Sequence, residues 1–183
     1  MTMKEDLLTV IKIPEGVQVD RKDHMVTVKG AQGENTRKLF DTRISIEVKG
    51  DEVHIASKKG TKREKTNMGT FAAHMRNLIK GVQEPFVYTL KICSGHFPMN
   101  VSVADNTLSV KNFLGEKIPR TLTIEKGVDV NVAGSDITVT SANKELAGQT
   151  AANIERLTRI TNKDRRIFQD GIYITNKAGK EIK

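Results

Sequence analysis

IPEGVQVDRKDHMVTVKG, from Ile13 to Gly30, is echoed by FPMNVSVADNTLSVKN, from Phe97 to Asn112. Both run Pro, two residues, Val-x-Val, a polar turn, then an apolar residue, x, Val and Lys, with the turn two residues shorter in the second copy. One such pair arises easily among β-rich segments, so the flanking segments decide. GENTRKLF (33–40) is echoed by GEKIPRTL (115–122), VKGDEVHIAS (48–57) by VAGSDITVTS (132–141), and GTFAAHMRNL (69–78) by GQTAANIERL (148–157). Matches in one unbroken order argue for an internal duplication.

Each copy predicts the same elements. Val17, Val19 and the stretch Met25 to Lys29 alternate with period two around a polar turn, as a half-buried hairpin does. Ile44, Ile46 and Val48 pair in pattern with Val53 and Ile55 across Lys49 to Glu52, where Gly50 supplies the backbone freedom of a tight turn. The period then changes. Met68, Phe71, Ala72, Met75, Leu78, Ile79 and Val82 follow one face of a helix, and that spacing makes Met68, Phe71 and Met75 core residues. In the second copy Val101, Val103, Leu108, Val110, Leu122, Ile124, Val128, Val130, Val132, Ile137 and Val139 alternate, and a helix then turns Leu146, Ala147, Ala151, Ile154 and Leu157 inward.

The expected fold is therefore α+β: two tandem duplicated domains, each an antiparallel sheet with one helix packed on it. GVQEPF (Gly81 to Phe86) ends the first helix with Gly and Pro, which places the boundary there: an N-terminal domain over 1–84 and a C-terminal domain over 85–183.

With 183 residues and 37% hydrophobic content, two small cores are expected in preference to one broad one. Apolar runs fall far short of the roughly 20 residues that cross a bilayer, and the start MTMKEDLLTVIKIPEG has early acids and no signal-type apolar region, so no membrane association is expected. A single cysteine, Cys93, excludes an internal disulfide and fits a reducing cytoplasm.

The net charge of +8 favours an anionic partner such as nucleic acid, and it divides evenly between residues 1–89 and 90–183. Within each half the cations are concentrated. KKGTKREK holds Lys58, Lys59, Lys62, Arg63 and Lys65 against one acid, and the segment from Arg156 onward holds eight basic residues against three acidic ones. KKGTKREK reads either as a solvated loop between a strand and a helix or as a phosphate-contacting loop. Its lack of apolar residues favours contact.

Catalytic chemistry finds little support. Cys93 and His96 are the closest approach to a nucleophile and its base, but Leu90 to Cys93 alternates like a strand, so the two side chains need not face each other; a small buried cysteine is the simpler reading. Neither HxxxH nor CxxC is present, so no metal or cofactor is expected, and GVDVNVAGSD lacks the glycine spacing of a phosphate loop. Asp170 beside Gly171 reads as a turn former, its carboxylate taking local backbone N–H groups while Gly171 adopts the special φ. A general acid or base would need a partner carboxylate or histidine, and none stands nearby in sequence. The cations around it, Lys163, Arg165, Arg166 and Lys177, are the better clue.

KDRRIFQDGIYITNK, from Lys163 to Lys177, resembles the C-terminal signature of the large-subunit ribosomal protein six family in its archaeal and eukaryotic branch, whose eukaryotic members are numbered nine. HFPMNV (96–101), NFLGEK (112–117), NKD (162–164) and IKGV (79–82) resemble further family segments in the expected order, so the likeness covers essentially the whole chain. The Tyr-Lys-Gly-Lys-Gly type of run that marks the bacterial branch is absent, and the short, plain termini lean archaeal.

The resemblance implies a tandem of two related α+β domains and a structural, non-catalytic protein of the cytoplasmic large ribosomal subunit. It also implies binding to large-subunit rRNA near the sarcin-ricin loop and the stalk base, mainly through the C-terminal domain. Neighbouring ribosomal proteins would lie at the stalk base, with translation factors close by. Carried onto this sequence, Lys163, Arg165, Arg166 and Lys177 would meet phosphates. Phe168 and Tyr173 would either pack the domain or lie against sugar and base, and Asp170 and Gly171 would set the turn that aims them. Arg159 and the five cations of KKGTKREK complete the expected rRNA contacts. RNA helices are read largely through shape, phosphates and 2′-OH groups, so such a set needs no base-reading motif. The competing readings are a β-rich module that engages an acidic protein partner and, more remotely, an enzyme built on Cys93 and His96 or on Asp170.

Overall fold

The alternation in each copy is realised as antiparallel strands, and the change of period as a helix that covers them. The computed structural model describes residues 5–182, so the first four residues of the opening stretch and the final lysine lie outside the described residues. The chain divides between Pro85 and Phe86 into two units.

The first unit contains β1 (Glu5–Lys12), β2 (Gln18–Lys22), β3 (Met25–Gly30), β4 (Gly33–Lys38), β5 (Ser45–Lys49), β6 (Glu52–Gly60) and α1 (Lys62–Gln83). The strands form two three-stranded sheets, ordered β1-β6-β5 and β2-β3-β4. The second unit contains β7 (Phe86–Cys93), β8 (Asn100–Ala104), β9 (Thr107–Lys111), β10 (Arg120–Thr123), β11 (Asp129–Ala133), β12 (Asp136–Ser141), α2 (Lys144–Leu157), β13 (Gly171–Lys177) and β14 (Lys180–Glu181). Its sheets are ordered β10-β9-β8 and β11-β12-β7-β13-β14. Both units are thus α+β with one helix, but each has two sheets where one was expected. The linking segment Leu39 to Ile44 breaks the ladder at polar Asp41, Thr42 and Arg43, while Leu39 and Ile44 themselves are buried.

In the first unit Val26 and Val28 of one sheet, Ile46, Val53 and Ile55 of the other, and Met68, Ala72, Met75 and Val82 of α1 form one apolar cluster. The second unit repeats it with Leu108, Val110, Ile137, Val139, Ala147, Ala151 and Ile154. The predicted helix faces are the buried ones, with Phe71, Leu146 and Leu157 partly buried against their cores. Gly50 lies at φ 57° in the β5–β6 turn, where a side chain would be strained.

Two of the four sequence echoes are out of structural register. Lys22 faces Met25 and Ala104 faces Thr107, so both first hairpins turn through two residues. The two-residue difference lies ahead of β2 and β8 instead, since Val19 opposite Val28 corresponds to Val101 opposite Val110. Likewise Asn35 faces Val28 whereas Arg120 faces Val110, so GENTRKLF and GEKIPRTL are not equivalent. The second copy spends the extra residues on a 3-10 turn, Phe113–Gly115, that buries the Phe113 ring.

KKGTKREK is not a loop. Lys58 to Gly60 end β6, Thr61 caps α1, and Lys62 to Lys65 form the first helical turn. Glu64 Oε2 accepts the Thr61 N–H at 2.8 Å and also its hydroxyl, which closes the start of the helix. The Asn143 carboxamide oxygen caps α2, accepting from Glu145 N at 2.9 Å and Leu146 N at 3.4 Å.

Met75 and Ile154 hold equivalent places, both fully buried. Met75→Ala and Ile154→Ala should each destabilise their unit by about 2–5 kcal/mol, read from the urea midpoint.

Candidate nucleic-acid interface

The residues of the terminal signature come together because β13 pairs antiparallel with β7, and Gly171 lies opposite Cys93. That register brings Asp170, just ahead of β13, against the chain that leaves β7. The Asp170 carboxylate is buried at 2% exposure. Its Oδ1 accepts the backbone N–H of Gly95 at 2.6 Å and of His96 at 2.9 Å, and its Oδ2 lies 2.6 Å from His96 Nδ1. Burial acts to raise the pKa of this carboxyl, but the His96 N–H, the His96 ring and the Gly95 N–H together hold it below its ordinary value. An ionised carboxylate only accepts hydrogen bonds, so Nδ1 of His96 carries the proton.

Asp170 and Gly171 therefore do not form the expected turn. The carboxylate does accept backbone N–H groups, but across the fold, 74 and 75 residues away in sequence. Gly171 is a strand residue outside the left-handed region. A Cβ on it would stand 3.1 Å from the Tyr173 hydroxyl oxygen, so the glycine makes room for that ring. No histidine stands near Asp170 in sequence, but folding supplies His96 from 74 residues away. Both strand-flanking segments are visible in sequence, but pairing across 74 residues leaves no local periodicity.

The aromatic alternatives now separate. Phe168 stacks on His96 with ring centroids 4.7 Å apart, and Lys163 Nζ lies 4.9 Å from the Phe168 centroid, so Phe168 packs the loop. The Tyr173 hydroxyl donates to the Gln169 carbonyl at 3.1 Å, while the side chain stays partly exposed. A cleft beside them is lined by Cys93, His96, Ile167, Gln169 and Tyr173. Cys93 is half-buried there, not enclosed in the core as expected.

Lys163, Arg165, Arg166, Arg159 and Lys177 are all exposed. They are not equally available. The Arg166 guanidinium holds Asp164, Nε to Oδ1 at 3.1 Å and to Oδ2 at 3.3 Å and the terminal NH2 to Oδ2 at 2.8 Å, and these contacts lower the Asp164 pKa and raise that of Arg166. Two residues outside the expected set position β13: Thr158 Oγ1 accepts the Ile172 N–H at 2.9 Å and Glu155 Oε1 accepts the Ile174 N–H at 3.3 Å. Arg120 holds the end of α2, donating to the Leu157 carbonyl at 2.7 Å.

In the first unit Lys58, Lys59, Lys62, Arg63 and Lys65 are exposed, and their side chains form no ion pair among the described residues. The acid within the run is turned away from them: Glu64 is buried and its pKa is lowered to about 2, first by the Thr61 hydroxyl, then by the Thr61 N–H, with Arg43 at 3.2 Å adding to it. Five cations at the end of β6 and the start of α1 are thus exposed, with the acid inside the run engaged by Thr61 and Arg43, and with Asp6 accepting the Lys59 N–H at 2.8 Å.

Residues 13–85 and 97–171 each match the family model described as ribosomal protein L6, one match for each copy. The chain belongs to the ribosomal protein L6 family. Among curated relatives, large ribosomal subunit protein uL6 of Methanosarcina mazei is 46% identical over 96% of this chain and 100% of its own length. The uL6 proteins of Methanococcus vannielii (45% identical; 94% of each chain) and Haloarcula marismortui (43%; 93% of this chain, 96% of the relative) match nearly end to end as well. As an L6 protein the chain is structural, and the enzymatic reading of Cys93, His96 and Asp170 falls away. No cluster of three potential metal ligands occurs among the described residues, and no helix there is long and apolar enough to cross a membrane.

The His96–Asp170 pair has a pH signature. Because the folded-state pKa of Asp170 is depressed, its stabilisation is complete above the ordinary carboxylate value of 3.8 and is lost as pH falls below it through the folded value. Asp170→Asn should cost about 1–3 kcal/mol at neutral pH, and the gap to the parent protein should close in acid, as urea titrations across pH will measure.

Proposed function

We propose that this L6 protein is a structural constituent of the large ribosomal subunit that binds its rRNA mainly through the second unit. The loop from Lys163 to Asp170 supports this most directly: its cations stand outward on a loop whose end is fixed by a buried carboxylate. A preorganised loop loses little entropy when phosphates dock on it. The end-to-end likeness to proteins named as large-subunit components supports the same reading. Family resemblance extends it to a position near the sarcin-ricin loop and the stalk base, among neighbouring ribosomal proteins, where the protein would support the factor-binding region. Lys58, Lys59, Lys62, Arg63 and Lys65 provide a second phosphate-contacting surface in the first unit.

Binding to large-subunit rRNA fragments should weaken steeply with salt. Replacing Lys163, Arg165 and Arg166 together by Ala should reduce the log–log slope by up to about three units. Arg165→Ala alone should remove about one unit, and Arg166→Ala less, because its guanidinium must first leave Asp164. An unchanged slope, or failure to cosediment with large subunits, would sink the assignment.

A further inference from the structure

The duplication offers an internal comparison of sheet edges. β1 stands to β6 as β7 stands to β12: Ile11 faces Val53 as Leu90 faces Ile137, and Ile13 N donates to Asp51 O as Ile92 N donates to Ser135 O, both at 2.7 Å. In the second unit the outer edge of β7 is covered by β13, an antiparallel strand that buries Ile172 completely. In the first unit, among the described residues, nothing pairs with the outer edge of β1.

Open strand edges template further pairing, and natural proteins blunt them with charge, brevity or distortion. The opposite edge of the same sheet is blunted: β5 has five residues and carries an ion pair, Lys49 Nζ to Glu47 Oε2 at 3.0 Å. The equivalent β11 presents Asp129 and Asn131. β1 is different. It spans eight residues, its register shift is confined to Glu5 and Leu7, and between the exposed charges of Asp6 and Lys12 it exposes Leu8 at 62% and Val10 at 43%. An apolar strand centre with one ladder unfilled suits neither water nor a phosphate backbone.

We propose that the free edge of β1 is a docking site for an extended segment of a neighbouring polypeptide in the large subunit. That segment adds antiparallel to β1, as β13 adds to β7, and unlike β13 it carries apolar residues on the outward row that it shares with Leu8 and Val10. Backbone hydrogen bonds supply the affinity, and contact with Leu8 and Val10 supplies selection for an apolar partner. The inference rests on the ribosomal reading of the chain for the identity of its surroundings.

Hydrogen–deuterium exchange of the free protein and of reconstituted large subunits tests it, together with a photo-crosslinking p-benzoylphenylalanine in place of Leu8. The expected result is at least about tenfold slower exchange of β1 amides in the subunit, little change in β5, and a crosslink from position 8 to another protein. The double variant Leu8→Lys, Val10→Lys alters only exposed side chains. It should keep the urea midpoint and still enter subunits, yet lose the protection of β1. Unprotected β1 amides in assembled subunits overturn the proposal, as does a crosslink only to rRNA or to a second copy. Failure to enter subunits, with the amides of 163–170 also unprotected, overturns the ribosomal reading and this one with it.

Discussion

Everything in this molecule depends on covering one apolar sheet face in each copy with one helix. Val53 and Ile55 in the first unit, and Ile137 and Val139 in the second, have no accessible surface. A small sheet cannot hide such residues by itself, and each side chain removed from water is worth at most about 1.5–3 kcal/mol. The helices meet that demand with the same spacing twice. Ala72 and Ala151 hold equivalent places, where a small side chain lets helix and sheet approach, and Met75 and Ile154 fill the centre. The other sheet of each unit closes the same core with Val26 and Val28 or Leu108 and Val110.

Around that shared core the two copies have diverged. α1 runs for 22 residues and α2 for 14, and the second copy follows its shorter helix with a polar loop and an added strand. The loop is tied down at several points: Thr158 and Glu155 accept from β13, Asp170 takes two backbone N–H groups and the His96 ring, and Phe168 contacts both His96 and Lys163. Buried anchoring and outward charge are therefore separate jobs done by adjacent residues. In the first copy the end of β6 and the first turn of α1 present the cations, and the glutamate among them is taken up by Thr61 and Arg43.

Much of this was legible from periodicity. The inward faces of both helices, the β5–β6 and β11–β12 hairpins and the duplication follow from spacing alone, because a 3.6 or a 2.0 period is set by local backbone geometry. Strands without alternating apolar residues were harder. β4, GENTRK, buries only Asn35, so nothing apolar announces it. KKGTKREK looked like a loop for the same reason, although Thr61 and Glu64 three residues later form a helix-start signature that was there to be read. Two equivalences between the copies failed: the first slips by two residues, which leaves alternation intact, and the second by three, in a strand with no apolar alternation to expose the slip.

The candidate interface divides along the same line. Sequence by itself determined the helical and strand faces, the concentration of Lys163, Arg165, Arg166 and Lys177 near the end, the cationic run at 58–65, and the family likeness that names RNA as the partner. Only tertiary structure decided that Asp170 is an anchor and not a corner, that Phe168 stacks on His96, that Arg166 is held by Asp164 while Arg165 is not, and that the outer edge of β1 is unpaired among the described residues. The reason is physical range. Periodicity reports forces between residues a few positions apart, whereas His96 meets Asp170 across 74 residues only because β13 comes back to lie beside β7.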